Sequence, residues 1–256
     1  MEPIVTPAEM ADADRRTIAA GTPVDVLMDR AGRSVAWAVR RQLDGVYGCH
    51  ALVACGKGNN GGDGLVAAQV LTGWGARVDV AQLADPPDPV DLARALDRAD
   101  VLIDAMYGTG FTGTLDGPAA AIAARSGELR TIAVDIPSGI DGHTGARTGV
   151  AVHATTTITF AARKPGLVFE PGRSHAGVVQ VADIGIDVGT PTLGLTTDRD
   201  LRAWLAAHQR PPDTNKWRTG VLVVGGSGGM TGAPRFVSEA AMRVGAGIVW
   251  CAMPGH

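Results

Sequence analysis

The residues in this chain best placed to do chemistry form a glycine-rich loop over 56–64, Gly-Lys-Gly-Asn-Asn-Gly-Gly-Asp-Gly. An apolar run at 51–55 precedes the loop and another at 65–71 follows it, an order that predicts a strand, a tight turn and a helix. The N–H groups and the dipole at such a helix N-terminus favour phosphate, and glycines let the backbone approach a ligand closely. The asparagines and the aspartate add amide donors and oxygen acceptors to this predicted phosphate site.

Two common nucleotide-binding motifs fit this loop poorly. A Walker loop requires Ser or Thr after Gly-Lys, whereas Gly58 follows Lys57 here. Gly56, Gly58 and Gly61 formally match a dinucleotide fingerprint, and Asp79 lies near the position of its ribose-binding acid. This match by itself is weak evidence, because the pattern is short. A tight turn without a ligand is disfavoured, because turns seldom need so many glycines together with Asn-Asn and Asp.

Polar residues also follow three further predicted strands. Asp104 lies at the end of one apolar run, and Asp135 and Ser138 follow the next. Lys164 comes shortly after a β-rich run further along. Ligands of parallel sheets bind outside the carboxyl ends of the strands, so these side chains are expected to meet the glycine loop at one edge. Taken singly, each aspartate is more typical of a helix cap or a turn, and a turn lysine is usually solvated.

Strands that alternate with helices predict a mostly parallel α/β sheet with right-handed crossovers. A capping box over 6–9 with proline at the first helical position marks the start of the first helix. The predicted helices cover 6–20, 24–42, 65–73, 90–98 and 118–125, and the predicted strands cover 51–55, 76–81, 101–104, 130–134, 155–160 and 178–186.

The composition is that of an ordinary globular protein, with 256 residues, 45% hydrophobic and 19% charged, and a formal net charge of −3. No basic field is present, so nucleic acid is not a favoured partner. No apolar run is long enough to span a bilayer, and the N-terminus lacks the features of a secretion signal. Cys49, Cys55 and Cys251 have neither metal nor disulfide spacing, so a cytoplasmic location is the simplest expectation.

A second pattern begins at Lys216. A predicted strand over 220–224 runs into another glycine-rich turn, and a helix and a strand over 247–252 follow. This unit is too small to build a core of its own, so we expect it to open a second α/β domain. The predicted domains are 1–208 and 209–256, the latter comprising a linker at 209–213 and the incomplete start of the second domain.

Five motifs that occur in order closely resemble those of the NAD(P)H-hydrate epimerase domain. The resemblance covers residues 1–190, and from Lys216 the chain resembles the start of the ribokinase-like NAD(P)H-hydrate dehydratase domain. Such an arrangement is similar to the N-terminal part of the bifunctional NAD(P)H-hydrate repair enzymes. It implies a Rossmann-like three-layer α/β/α sandwich followed by the opening of a ribokinase-like α/β domain. The motifs are 58–64 (GNNGGDG), 104–110 (DAMYGTG), 134–141 (VDIPSGID), 164–166 (KPG) and 183–186 (DIGI).

The resemblance also implies a substrate, a metal and a set of site residues. The substrate is NADH or NADPH hydrated at C6 of the nicotinamide ring, and the epimerase interconverts its R and S forms. A potassium ion lies beside it, and its ligands map onto Asn60, Asp104 and Ser138, whose oxygens suit a hard cation. The substrate-binding positions map onto Asn59, Asn60, Gly61, Gly62, Asp63, Gly108, Thr109, Gly110, Phe111, Thr112, Gly113, Thr114, Asp135 and, in the second domain, Ala233.

The expected chemistry centres on Asp135. C6 of the hydrate carries a hydroxyl and the ring nitrogen, so it loses its configuration by ring opening or by loss of hydroxide, and both routes need proton transfer. Asp135 is the candidate general acid–base, with Lys164 as its electrostatic partner. Dehydration would use ADP or ATP. The nucleotide-binding half that it needs is absent from these residues, so we expect dehydratase activity only from a full-length bifunctional protein.

Two other functions stay open from the sequence. A nicotinamide-dependent oxidoreductase would use the loop at Gly56 for its cofactor and Asp79 for the ribose, but the Asn-Asn pair and the second loop at Gly108 argue against it. A non-catalytic nucleotide-binding module would keep the fold without turnover. The expected partner is a small molecule. The choice between a monomer, a homodimer and a higher homo-oligomer stays open, as does that between NADHX and NADPHX.

Overall fold

The computed structural model describes residues 1–209 and 214–254. Two compact units are present, Met1–Thr196 and a second that begins at Thr197. Most of the linker predicted at 209–213 lies outside the described residues. The domain boundary predicted at 208/209 therefore stays a prediction.

The first unit is built on a parallel sheet, as the alternating pattern predicts. Six strands lie in the order β3-β2-β4-β5-β6-β7, and each neighbouring pair is parallel. The strands of this unit are β1 (Glu2–Ile4), β2 (His50–Cys55), β3 (Arg77–Gln82), β4 (Val101–Ala105), β5 (Thr131–Val134), β6 (Thr156–Phe160), β7 (Val178–Ala182) and β8 (Leu193–Leu195).

Helices cover both faces of this sheet, which confirms the α/β fold predicted from the sequence. Val53, Ile103 and Val134 pack toward the first three helices, whereas Leu52 and Leu102 pack toward the next two. Because both faces are covered, the central strands read as nearly continuous apolar runs rather than alternating ones. The helices of this unit are α1 (Pro7–Ala19), α2 (Val24–Gln42), α3 (Asn59–Gly73), α4 (Pro89–Arg98), α5 (Gly117–Arg125) and α6 (Gly172–Ala176).

The start of α1 follows directly from local chemistry. The hydroxyl of Thr6 accepts a hydrogen bond from the backbone N–H of Glu9 (3.2 Å), and the Glu9 carboxylate accepts one from the backbone N–H of Thr6 (2.7 Å). This is the predicted capping box. The same carboxylate also accepts a bond from the Thr192 hydroxyl (2.9 Å), so the cap ties α1 to the chain that follows β7.

The last predicted strand of the first unit is wrong in length. β7 ends at Ala182, although the sequence pattern extends the strand to residue 186. The carboxylate of Asp183 accepts a bond from the N–H of Gly185 (2.8 Å), and Gly185 has a φ of 87°, so the chain turns away from the sheet there. Ile184 and Ile186 are buried against the helices instead. Two further strands, β1 and β8, pair antiparallel and were not predicted from the sequence.

The order of the strands creates a switch point between β2 and β4. The chain leaves β2 through α3 toward β3 on one side, then returns to form β4 on the other side. The loops that follow β2 and β4 diverge at such a point and leave a crevice at the carboxyl ends of the strands. The N–H of Gly56 donates to the carbonyl of Ala105 (3.0 Å), which fixes the two loops against each other.

The second unit comprises α7 (Asp198–Ala207), β9 (Gly220–Val224), α8 (Gly232–Arg243) and β10 (Ile248–Ala252). The strands β9 and β10 are parallel neighbours, as a strand–helix–strand unit requires. Many of its large apolar side chains are exposed, including Leu222, Val224, Phe236 and Val244. No helix within residues 1–209 and 214–254 has both the length and the apolar character needed to cross a membrane.

We expect the first unit to fold without the second. Deleting residues 197–256 should leave a single cooperative thermal unfolding transition near that of the whole chain, because the core of the first unit closes with β8. The shortened protein should also aggregate less, since the exposed apolar residues of the second unit are removed. Calorimetry and light scattering of both proteins check this, and a non-cooperative transition would contradict it.

Candidate functional site

A cavity of about 770 Å³ lies at the switch point of the sheet. The loops after β2, β3, β4, β5 and β6 form one part of its wall, and α1, α2 and the chain after β7 form the rest. Pockets of this size accommodate small molecules and cofactors. Its lining from the strand ends comprises Gly56, Lys57, Gly58, Asn59, Asn60, Asp63, Leu83, Met106, Tyr107, Gly108, Thr109, Gly110, Phe111, Asp135, Phe160 and Lys164.

A buried ion pair lies in this cavity wall. The ammonium of Lys164 donates to Oδ1 of Asp135 (2.7 Å), to the hydroxyl of Thr159 (2.8 Å) and to the carbonyl of Phe160 (3.0 Å). Lys164 is 1% exposed, so the solvated turn lysine considered from the sequence is wrong. All three ammonium protons form hydrogen bonds, and Asp135 is the one negatively charged acceptor among them.

The two carboxylate oxygens of Asp135 have different surroundings. Oδ1 takes the bonds from Lys164 and from the hydroxyl of Thr159 (3.2 Å). Oδ2 accepts one bond, from the backbone N–H of Thr109 (3.2 Å), and a Cβ placed on Gly108 would lie 3.3 Å from it. Because Gly108 lines the cavity and carries no side chain, Oδ2 is the oxygen open to a ligand.

The charge state of Asp135 follows from these contacts. Burial acts to raise the pKa of the carboxyl, but the Lys164 ammonium and the bonds from Thr109 and Thr159 outweigh that effect and hold the pKa below its ordinary value. Asp135 is therefore an ionised carboxylate at neutral pH, able to accept a proton through Oδ2.

The backbone of Asp135 is in an uncommon conformation. Its φ is 67°, in the left-handed region that few residues other than glycine, asparagine and aspartate adopt. The N–H of Asp135 donates to the carbonyl of Ile158 on β6 (2.7 Å), which holds the residue in place. Such conformations cluster at functional sites because they aim a side chain in a direction that ordinary backbone does not allow.

Behind the ion pair, Asp104 and Ser138 form a second buried polar group. Asp104 accepts bonds from the N–H (2.8 Å) and the hydroxyl (2.6 Å) of Ser138 and from the N–H of Met106 (3.2 Å). Burial raises the pKa of Asp104 to about 6, although the bonds from Ser138 and Met106 act to lower it. Among the residues described by the structure, no cation pairs with this carboxylate.

Asn60, in the glycine loop, lies close to Gly108 in the loop after β4. Its Nδ2 is buried without a hydrogen-bond partner, and its Oδ1 and Cγ would lie 3.4 Å from a Cβ on Gly108. A buried polar atom without a partner is costly and is a common mark of a site that takes an additional group. The oxygens predicted to hold potassium, those of the Asp104 carboxylate, the Ser138 hydroxyl and the Asn60 amide, are of the kind that a hard cation takes, whereas the unpartnered Nδ2 of Asn60 calls for a hydrogen-bond acceptor.

The glycine loop owes its composition partly to backbone packing. A Cβ at Gly56 would collide with the carbonyl oxygen of Met106, and a Cβ at Gly61 would collide with that of Gly56. Nothing lies within 4 Å of a Cβ position on Gly58, which lines the cavity. The absence of a side chain therefore leaves the loop open to a ligand at Gly58, whereas Gly56 and Gly61 allow the backbones to approach each other.

A family model described as YjeF-related protein N-terminus matches residues 24–99 and 87–166 of this chain. The chain belongs to this family. The match includes the glycine loop, Asp135 and Lys164, which contribute to the wall of the cavity, and Asp104 of the second polar group.

Curated relatives extend the similarity beyond that match. The bifunctional NAD(P)H-hydrate repair enzyme Nnr of Moorella thermoacetica is 40% identical over 98% of this chain and 54% of its own length. The protein of the same name from Salinibacter ruber is 37% identical over 98% of this chain and 55% of its own length. This chain of the YjeF-related family thus spans about half the length of the curated relatives that it matches.

A solved structure supports the fold assignment. The crystal structure of yeast ynu0 (YNL200c) matches with a TM-score of 0.59 at 21% identity, and the match covers 76% of this chain and 97% of the yeast chain. At this identity the likeness concerns the fold alone.

Several residues predicted for the site are not among those that line the cavity. Gly61 and Gly62 lie in the first turn of α3 without lining the cavity, and a Cβ on Gly62 would contact the flexible side chain of Met28. Asp79, the ribose-binding acid of the oxidoreductase interpretation, is exposed on β3, where it pairs with Arg98. Residues 112–114 (Thr112, Gly113 and Thr114) are exposed outside the cavity lining, and Ala233 is exposed at the start of α8 in the second unit.

The wall formed by α1 and α2 was not predicted from the sequence. Met10, Asp14 and Ile18 recur every four residues along α1 and face the cavity. This spacing is the only local signal for them, and it is equally typical of a helix that packs on a core. Asp14 is the exception within that stripe, because a carboxylate among apolar positions is not explained by packing. Val24, Leu27, Met28, Ala31, Ile184 and Ile186 complete this wall.

Replacing Lys164 tests the ion pair. Lys164→Met should lower the free energy of unfolding by about 3–5 kcal/mol, because it leaves the buried carboxylate of Asp135 without its cation. The loss should shrink as the pH falls, since the stabilisation by a carboxyl with a lowered pKa disappears once that carboxyl is protonated.

Urea unfolding at several pH values measures this effect. Lys57→Met is the matched control, because Lys57 is exposed and its loss should change the free energy of unfolding by less than about 0.5 kcal/mol. Equal effects of both substitutions would contradict the importance of the buried pair.

Proposed function

We propose that this chain catalyses the interconversion of the R and S forms of NADH or NADPH hydrated at C6 of the nicotinamide ring. The observation that carries the proposal is the ionised Asp135, whose Oδ2 faces a cavity at the switch point of the sheet while Lys164 holds Oδ1. An isomerase of this kind needs one well-placed proton acceptor and a site that holds a dinucleotide. The names of the relatives support this choice of substrate.

Asp135 acts as a base in the resting enzyme. When the configuration at C6 inverts, Asp135 accepts the proton of the C6 hydroxyl or of a water that attacks C6. Lys164 keeps the carboxylate ionised, and the N–H of Thr109 directs Oδ2. General base catalysis of this kind contributes roughly 10²–10⁴-fold to the rate.

The cavity supplies features suited to both ends of a dinucleotide. The first N–H groups of α3 belong to the glycine loop, where Lys57 adds a positive charge, so we expect the pyrophosphate there. Met10, Ile18 and Met28 offer an apolar surface for a flat heterocycle. The exposed position of Asp79, outside the cavity, disfavours a dehydrogenase that would hold a ribose there.

A potassium ion is part of this proposal. Asn60, Asp104 and Ser138 would hold it, and the ion would supply positive charge that neutralises Asp104 and orders the loops after β2 and β4. Monovalent hard cations bind such oxygen groups without any thiol or imidazole. No group of three or more His, Cys, Asp or Glu residues suited to a metal occurs within residues 1–209 and 214–254. A transition-metal centre among those residues is therefore disfavoured.

The remaining assignments follow from the same relatives. We infer that dehydration of the S hydrate, with ADP or ATP, belongs to the full-length bifunctional protein and needs residues beyond the strand–helix–strand unit from β9 to β10. A cytoplasmic location fits a repair enzyme for nicotinamide nucleotides. A small-molecule substrate without nucleic acid or membrane partners fits the net charge of −3.

The direct test uses purified protein and a hydrate mixture enriched in one epimer. Chromatography should show approach to the equilibrium ratio of R and S forms faster with protein than with buffer alone. A rate equal to that of the buffer would refute the proposed function, and tight binding without turnover would favour the non-catalytic module.

Asp135→Asn should lower kcat for epimerisation by roughly 10²-fold or more, because the amide cannot accept the proton. Asparagine tolerates the left-handed conformation, so the fold is expected to persist. The matched control is Asp44→Asn, since Asp44 is an exposed aspartate with a φ of 52°. Activity of the Asp135 variant equal to that of this control would remove Asp135 from the mechanism.

The potassium proposal predicts a specific effect of the cation on stability. The Tm of the wild type should be higher in potassium than in sodium at matched ionic strength, because an ion that binds only the folded state stabilises it. Asp104→Ala should abolish that difference and weaken ligand binding. Identical melting curves of the wild type in the two salts would count against the site.

A further inference from the structure

A second carboxyl group in the cavity takes no part in the ion pair of Asp135 and Lys164. Asp63 lies in α3 at the carboxyl end of β2, is 9% exposed and lines the cavity. Within residues 1–209 and 214–254 its side chain forms no hydrogen bond and no ion pair. The carboxyl oxygens are not fully enclosed by protein, so the group is open to a ligand in the cavity that it lines.

The surroundings of Asp63 favour its neutral form. Burial, followed by the carboxylates of Asp135 and Asp14, raises the pKa of Asp63 to about 8. Asp63 is therefore a neutral acid at pH 7, in the same cavity in which Asp135 is ionised. Two carboxyl groups whose surroundings move their pKa values in opposite directions form the usual acid and base of one site. The titratable groups that line the cavity around it are Asp14, Lys57, Tyr107, Asp135 and Lys164.

The two carboxyl groups come from different parts of the cavity wall. Asp63 is carried by α3, and Asp135 follows β5 in the left-handed conformation. A reaction that inverts one carbon through a planar intermediate needs a proton donor where the hydroxyl leaves and a proton acceptor where it is replaced. Both carboxyl groups line the same cavity, and they are close enough for their charges to interact.

Given the proposed function, on which this inference rests, we propose that Asp63 is the general acid that works with Asp135 as the base. Asp63 gives its proton to the C6 hydroxyl oxygen while the C6–O bond breaks with its electron pair on oxygen. Water leaves, and the lone pair of N1 forms a C6=N1 iminium. A water then attacks C6 from the other side, its oxygen forms the new C6–O bond, and Asp135 accepts its proton.

Each inversion leaves Asp63 ionised and Asp135 protonated. The lowered pKa of Asp135 favours release of its proton to water, and the raised pKa of Asp63 favours uptake of one, so solvent restores the starting state. The net change is the exchange of one hydroxyl oxygen for a solvent oxygen. No oxidant or reductant is needed.

The first test is the pH profile of kcat. For the wild type, kcat should fall as the pH rises through about 8, because the acid must be protonated. Asp63→Asn should lose roughly 10²-fold in kcat together with this alkaline fall. Asp14→Asn removes a negative charge that raises the pKa of Asp63, so the alkaline fall in kcat should move to lower pH. Asp12→Asn, an exposed change on the same helix, should leave the profile unaltered.

The second test follows the oxygen atom. In ¹⁸O-labelled water, each inverted molecule should carry one solvent oxygen at C6 when analysed by mass spectrometry. Retention of the original oxygen would indicate ring opening and overturn this step. An Asp63→Asn variant with a raised KM and an unchanged kcat would reduce Asp63 to a binding residue and overturn its role.

A stability measurement separates this inference from the proposed function. If Asp63 is buried in its neutral form, Asp63→Asn should raise the Tm relative to the wild type, increasingly so from pH 4 to pH 8, because only the unfolded wild type loses its proton over that range. A Tm difference that does not change with pH would overturn the neutral acid even if epimerisation is observed. A wild type without epimerase activity would overturn the proposed function, and the role of Asp63 with it.

Discussion

The buried ion pair between Lys164 and Asp135 constrains the rest of the site. Removing two charges from water is unfavourable unless each finds its partners, and here the hydroxyl of Thr159 and the carbonyl of Phe160 complete the set. These partners come from β6 and the chain after it, whereas Asp135 follows β5. The register of β5 against β6 therefore determines whether the charges meet, and the bond from the Asp135 N–H to Ile158 fixes that register at the strand end.

The same pair adds to the effect of burial on the charges of its neighbours. Lys164 is the one cation within hydrogen-bond distance of Asp135 in the described residues, and its three protons are already used. Carboxyl groups added to the cavity by α1 and α3 are therefore next to an ionised Asp135 without a cation of their own. The pKa values of both Asp14 and Asp63 are raised, mainly by burial. At neutral pH the site thus holds a protonated carboxyl group, that of Asp63, and an ionised one, that of Asp135.

Much of the fold could be predicted from the sequence, because each element carries a local signal. The capping box of α1, the apolar face of α2 and the apolar runs of β2 and β4 are all local features, and the observed elements match them. The burial of Lys164 could not be predicted in this way. A lysine before Pro-Gly has the same local sequence whether it is solvated or buried, and its partners Asp135 and Thr159 are brought to it only by the pairing of β5 with β6.

The contribution of α1 to the cavity was unpredictable for a similar reason. α1 is positioned by contacts far along the chain, including the bonds from Thr192 to Glu9 and from Arg16 to the carbonyl of Asp187. Residues after β7 turn away from the sheet and pack Ile184 beside this helix, so the two ends of the first unit close the cavity together. The position of Asp14 beside the other carboxyl groups of the cavity therefore depends on the chain beyond β7. Any change that frees that segment from α1 should alter the electrostatics of the site without touching Asp135 or Lys164.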